Sequence, residues 1–334
     1  MRKILLLSIF TTLFGQIQYS GYINTEAKIR NNTGEVLDLP YRLSQFNFSY
    51  TFAMIDIISK ADIEFRNETM EELLSLREFY IGFYPSFGEI RLGKQINSWG
   101  LADGNNPTDN INPYDFNYMF ESGIDRKIGV YSISSTMYYD NSKINLVISY
   151  DDFKHHFNSQ IPFECFIYGS NDDGNCLNAP EFNKHIEYGI DFQYNMNQTE
   201  IAISYLNGRD RFHNENIQTF GTNFLYMYNE FAFRLENAFH IVNNNEKFGQ
   251  AIIQIEYPEI LSLNIGNQLF GTYDINAQKI YGIGPPIFIL SEYMFVLSAS
   301  RMFYDDTIEL NNFLLYGISS SKIAKSYFLE KAAT

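Results

Sequence analysis

Apolar and polar residues take turns along most of this chain. The cleanest run is Ile186 to Met196. Ile186, Tyr188, Ile190, Phe192, Tyr194 and Met196 fall on one parity, and Glu187, Gly189, Asp191, Gln193 and Asn195 on the other. Side chains alternate across a strand, so the run predicts a strand with one apolar and one strongly polar face. The pattern recurs. Phe46, Phe48, Tyr50 and Phe52 alternate with Gln45, Asn47, Ser49 and Thr51, and Ala61, Ile63 and Phe65 with Asp62, Glu64 and Arg66. Phe231, Phe233, Leu235 and Phe239 alternate with Ala232, Arg234, Glu236 and Ala238, and Leu261, Leu263, Ile265 and Leu269 with Ser262, Asn264, Gly266 and Gln268. Residues 144–150, 200–206, 220–228 and 250–257 read alike. About fourteen to sixteen such strands fit the chain.

The connections alternate too. Short links such as YPSFG (84–88), DNSK (140–143), NQTE (197–200) and YPEI (257–260) trade places with long ones over 97–127, 151–184 and 270–287. Short turns at one end and long loops at the other are the arrangement of a membrane-spanning barrel. A soluble sandwich has no reason to sort its loops in this way. In lipid every backbone amide must be paired within the protein, and a closed barrel does this without leaving an edge. The fold expected is therefore all-β: a transmembrane antiparallel up-and-down barrel with long extracellular loops and short periplasmic turns.

Composition supports this reading. The chain has 334 residues, 45% of them apolar, and nothing marks a boundary between domains. Phe and Tyr raise the aromatic share to 17%, which suits strands and lipid–water interfaces. Arg2 and Lys3 followed by the apolar stretch Ile4 to Phe14 resemble a secretory signal peptide, so 1–15 is read as a leader and 16–334 as one outer-membrane barrel. The leader's two cations leave with it, taking the formal charge from -15 to -17. An acidic chain argues against nucleic acid as a partner. Outer-membrane barrels generally end on an aromatic residue; here Phe328 is close to the end, and the tail beyond it departs from that pattern.

One stretch departs from plain strand and turn. From Arg77 to Phe116 the chain places Gly93, Gln95, Trp99, Gly100, Asn106, Pro107, Asp109, Asn112 and Pro113 in the order GxQ…WG…NPxDxxNP. This resembles a family of porin-like outer-membrane barrels carrying such a loop, distantly similar to phosphate-selective and alginate-export porins. The resemblance covers about forty residues; over the rest of the chain only barrel patterning is shared. It implies a barrel of the sixteen-strand type with a conducting or substrate-binding lumen, and no particular solute. The 97–127 loop is expected to fold inward and narrow the pore; the alternative is a rigid extracellular cap.

With the polar parity inward, Asp62, Glu64, Arg66, Glu89, Arg91, Gln95, Glu187, Asp191, Arg234, Glu236 and Glu256 face the lumen, joined by Trp99, Asp103 and Asp109 from the loop. Acids outnumber arginines there, giving a mild cation preference. Pairing between neighbouring strands is the structural alternative for any of these charges. Lys94 falls on the lipid parity and implies snorkelling or a bulge. Cys165 and Cys176 would close a disulfide in an exported protein, worth about 2–4 kcal/mol in the chain-entropy picture.

No cofactor is expected. Asp103, Asn105 and Asp109 offer oxygens for Ca2+, but the stretch lacks the spacing and terminal Glu of a calcium loop, so self-capping turns are the better reading. Asp151, Asp152, His155 and His156, with Asp210 and His213, supply the alternative of a rim hydrolase. A non-conducting adhesin or assembly barrel is a second alternative. The reading favoured is a non-enzymatic outer-membrane channel for small hydrophilic solutes or ions, embedded in outer-membrane lipid, with a homotrimer among the assemblies it allows.

Overall fold

The computed structural model describes residues 16–23, 28–29, 34, 36–37, 39–66, 71–102, 105–118, 121, 123–156, 167–168, 177, 179–243, 245–258, 263–276, 281–284, 292–303 and 308–319. The leader, both cysteines, Asp103 and the C-terminal tail lie outside these residues.

The strands, in chain order, are β1 (Gln16–Ile23), β2 (Lys28–Ile29), β3 (Val36–Leu37), β4 (Tyr41–Phe52), β5 (Ile55–Arg66), β6 (Glu71–Phe83), β7 (Gly88–Gln95), β8 (Val130–Tyr139), β9 (Ser142–Asp151), β10 (His185–Met196), β11 (Thr199–Arg209), β12 (Asn216–Tyr228), β13 (Phe231–Val242), β14 (Glu246–Glu256), β15 (Asn264–Asp274), β16 (Tyr293–Phe303) and β17 (Ile308–Ser319). β2 and β3 pair with each other. The other fifteen form one antiparallel sheet in strict chain order, each hydrogen-bonded to the next. This is the up-and-down barrel arrangement expected from the alternation, with a strand count inside the expected range; among the described residues β1 and β17 end the sheet and do not pair with each other. Most strands run 10–13 residues, long enough to cross a bilayer at a tilt. Among the described residues no helix is long and apolar enough to cross a membrane.

Burial follows the sequence parity and inverts the usual rule. In β10, Ile186, Tyr188, Ile190 and Tyr194 are exposed, while Glu187, Asp191 and Gln193 are buried. The outer surface is therefore apolar and the inner face polar, as lipid outside and water inside demand. Aromatic residues gather at the short-turn end: Phe52, Phe83, Tyr139, Tyr226, Tyr228 and Phe233 are all exposed there, and Tyr226–Tyr228 and Phe231–Phe233 stack along their strands. Such a collar suits a headgroup layer, where a ring meets lipid on one side and water on the other.

Four turns at that end have two residues, and the first of each, Ala53, Asp140, Asn197 and Asn229, has φ near +50°. Asn and Asp tolerate that backbone best, which explains three of the four. The expected irregularity at Lys94 falls on the neighbouring strand. β6 carries a bulge between its pairings with Lys60 and Ala61, so Arg77 and Glu78 both turn inward. Lys94 Nζ donates to the Leu76 carbonyl beside that bulge at 2.7 Å.

Candidate functional site

The β7–β8 connection, residues 96–129, enters the barrel. Its contacts require this, because it touches inward-facing groups on opposite walls. Trp99 Nε1 donates to Asn145 of β9 at 3.0 Å. Leu101 N–H and Ala102 N–H both donate to Glu236 Oε1 of β13, and Thr108 Oγ1 reaches Glu236 Oε2 at 3.2 Å. Asn105 meets Gln268 of β15 at 3.3 Å. On the other side Arg77 of β6 binds Asp125, and Arg42 of β4 donates to the Asp125 carbonyl at 2.7 Å. One loop reaches β4, β9 and β15 together only if the sheet curls around it.

The wall is shaped to receive it. Gly189 and Gly221 are inward positions of β10 and β12. A Cβ at Gly189 would sit 2.5 Å from the Trp99 ring, and one at Gly221 2.7 Å from the Thr108 methyl. Both glycines leave the space that the loop fills.

Gln95, Trp99, Gly100, Asn106, Asp109 and Asn112 of the GxQ…WG…NPxDxxNP stretch each have a part in folding the loop. Gln95 is fully buried, donating to the Ser132 carbonyl and accepting from Ser134, both at 3.0 Å. Gly100 has φ +94°, a conformation that other residues adopt only with strain. Asn106 Nδ2 ties back to the Trp99 carbonyl at 3.0 Å. Asp109 accepts from Ser98 Oγ, from Trp99 N–H and from Lys127 Nζ. Asn112 accepts from Asn97 N–H and donates to the carbonyls of Gln95 and Ile128, clamping both ends of the loop. Burial lowers the Lys127 pKa, and the Asp109 carboxylate opposes that shift.

Other connections pack onto this loop. Arg211, between β11 and β12, is buried and binds Glu187 through two nitrogens while donating to the Asn110 carbonyl at 2.9 Å. Phe153 lies 4.7 Å under its guanidinium. His155 Nδ1 accepts from Tyr114 N–H at 2.8 Å, and Nε2 faces the Gly282 carbonyl at 2.7 Å. Nε2–H is thus the donor, and the ring is neutral. Burial pushes its pKa down to about 3. Asp210 accepts from the N–H groups of Phe212, His213 and Gly282. His155 and Asp210 therefore act as clamps between loops, and the hydrolase alternative loses these two groups.

The inner wall beneath these loops carries more apolar surface than the alternation suggests. Trp99 and Ile111 of the loop pack with Val147, Leu206, Ile217, Val242, Phe248, Tyr281 and Ile283, and Ala102 packs with Ile252, Phe270, Met294 and Val296. The long-loop half of the interior is thus a packed core.

The charges expected on the inner face divide accordingly. Asp62, Glu187 and Glu236 are buried and engaged: Asp62 by Arg42 at 2.7 Å and by Arg77, Glu187 by Arg211 and His185, Glu236 by the loop. Asp191 is buried beside Gln193, which donates to it at 2.8 Å. Glu64 is half-buried on the face of Asp62. Arg66 lies in β5, and its side chain is outside the described residues. Arg91 pairs with Glu89, and Arg234 with Glu256, where water reaches both pairs. Asn105 and Asp109, offered as calcium ligands, are occupied by Arg126, Gln268, Ser98, Trp99 and Lys127.

Below the loop, toward the short turns, a cavity of about 230 Å³ lies against β7, β8 and β9. It is lined by Glu89, Arg91, Ser134, Thr136, Tyr138, Lys143 and Asn145 from the wall and by residues 96–99 of the loop.

The architecture is that of the porin barrels. The chain is similar in structure to the Salmonella typhi OmpF complex with daunomycin, at TM-score 0.53 and 9% identity over 94% of this chain and 92% of that one. It is similar to a mutant of the Rh. blastica porin at TM-score 0.51 and 10% identity, over 92% and 96% of the two chains. At these identities the likeness is one of fold. No family model and no curated protein matches the sequence.

Proposed function

We propose that this chain is an outer-membrane channel of porin type, passing small hydrophilic solutes along a path narrowed by the 96–129 loop. The observation that carries the reading is the docking of that loop on opposite walls through Glu236, Asn145 and Asp125. A barrel whose exterior is apolar and whose interior holds an ordered polar loop is built for lipid outside and controlled passage inside. Arg91, Glu89, Lys143, Arg234 and Glu256 are among the charges a solute meets on the short-turn side, with Asp56 and Glu200 on the same face. Asp62, Glu187 and Glu236 serve to hold loops and neighbouring strands. We read the resemblance carried by the GxQ…WG…NPxDxxNP stretch as one of loop architecture, since its residues fold this loop, and not of solute.

Purified protein added to a planar bilayer tests the reading. Stepwise conductance is expected, and a membrane that stays silent after verified insertion contradicts it. Chemical cross-linking in native membranes tests the expected homotrimer, with a monomer-only pattern as the contrary result.

A further inference from the structure

The cavity beneath the loop has a polar lining that carries both charges and hydroxyls. Glu89 and Thr136 pair across β7 and β8, as do Tyr138 and Lys143 across β8 and β9, so its polar groups form one continuous patch. The amides there are held by the protein: Asn145 lies between Trp99 and Thr136, and Asn97 Nδ2 donates to Ser132. Glu89 accepts two bonds from Arg91, which leaves the second terminal nitrogen of that guanidinium without a partner among the described residues. Lys143 Nζ donates to Gln193 at 3.2 Å and makes no ion pair among the described residues. Thr136 Oγ1 accepts from Asn145, so its own proton is available to another group. Arg91 and Lys143 against Glu89 leave one positive charge in excess among the lining residues, and Gln193 joins Lys143 to Asp191 beside them, in a chain whose formal charge is -15.

We propose that this cavity is a binding site for a small anionic solute rich in acceptors, a carboxylate-bearing molecule no larger than a monosaccharide. The inference rests on the channel reading and names the class of solute for which the channel holds a site. The volume, about 230 Å³, suits a solute of that size and is below the roughly 300–1,000 Å³ typical of sites for drug-sized ligands. Lys143 and Arg91 meet the carboxylate, Arg91 through the terminal nitrogen that Glu89 does not take, with the Tyr80 ring 5.5 Å from its guanidinium carbon. Thr136 and Tyr138 meet the hydroxyls. Trp99 forms part of the lining and is the only tryptophan in the chain, so its emission reports on this loop where it borders the cavity.

The test is a titration of the detergent-solubilised full chain with glucuronate, glucose and glucosamine at constant ionic strength, read by Trp99 fluorescence. Glucuronate is expected to give a saturable change, with glucose and glucosamine at least tenfold weaker. K143Q should remove the preference for glucuronate, and K143R should restore most of it. Equal response to the three sugars, no saturable response, or K143Q binding glucuronate as the native chain does would each overturn the proposal. Conductance of the same preparation separates the two readings. Channels that conduct without binding glucuronate defeat this inference alone, whereas a silent bilayer defeats the channel reading.

Discussion

Two arginine–glutamate pairs on the inner wall sit in different surroundings. Arg211–Glu187, in the long-loop half, has both side chains 2% exposed, with Phe153 beneath the guanidinium and loop carbonyls beside it. Arg91–Glu89, in the short-turn half, is 32% and 13% exposed and faces a cavity. The chemistry is the same, and its consequences are not. A buried pair repays the cost of desolvation only while both partners stay, so removing one leaves an uncompensated charge. A pair open to water loses little when broken. The contrast separates the two ends of the interior: the long-loop half is a packed core of loops, and the short-turn half holds the open cavity.

That contrast makes graded predictions. R211M is expected to cost about 3–5 kcal/mol, because Glu187 is left buried with only His185 and the Arg209 amide beside it. Urea unfolding of the refolded barrel measures it, and a loss under 1 kcal/mol would mean that water reaches the mouth. E236A removes the acceptor shared by Leu101, Ala102 and Thr108, and should weaken loop docking by about 1.5–3 kcal/mol. Faster amide exchange at Leu101 and Ala102, with the strands unchanged, is the expected readout. G189V forces the Trp99 ring off the wall at a cost of about 1–3 kcal/mol. A red-shifted Trp99 emission and a larger single-channel conductance should follow, and unchanged emission would place the ring elsewhere.

The effect of pH at His155 comes next in size. Its value in the folded chain lies below its value in the unfolded one, so its contribution is complete above about pH 6.5 and is lost as pH falls toward about 3. Opening of the loop cluster should grow by up to about tenfold for each pH unit in that window. Burial raises the Asp210 carboxyl and pulls the other way, so the profile is read as the difference between the native chain and H155N. Protection of the Tyr114 amide from exchange is the measurement, and identical profiles would remove His155 from the clamp. R91M should be the mildest change, below about 1 kcal/mol by urea unfolding, since its pair is open to water.

The fold was largely legible because strand alternation has a period of two and the two sides of this sheet meet different solvents. Ile186 to Met196 already shows in sequence the parity that burial displays in β10. The inward loop was legible in outline, through an Asn-, Asp- and Pro-rich stretch after Gln95. Its anchors were not. Glu236 lies more than 130 residues from the amides it holds, and His155 127 residues from the Gly282 carbonyl. Spacing along the chain carries no trace of such contacts, so the sequence leaves His155 and Asp210 open to the alternative of a rim hydrolase and places Glu187 and Glu236 on the lumen face without naming their partners. The apolar inner patch was hidden for a related reason. Phe248 and Ile252 share their parity in β14 with Gln250 and Gln254, and only the loops packed above them explain why apolar residues face inward there.

A narrowed path exists only if the 96–129 loop lies inside the barrel. Asn105 and Gln268 touch across the interior only in that arrangement. With Cys165 and Cys176 replaced by serine, N105C and Q268C should join within one chain under mild oxidation or a short thiol cross-linker in native outer membranes, and conductance should persist. Free labelling of N105C by a bulky membrane-impermeant thiol reagent, with no cross-link to Q268C, would place the loop outside the barrel and contradict the account.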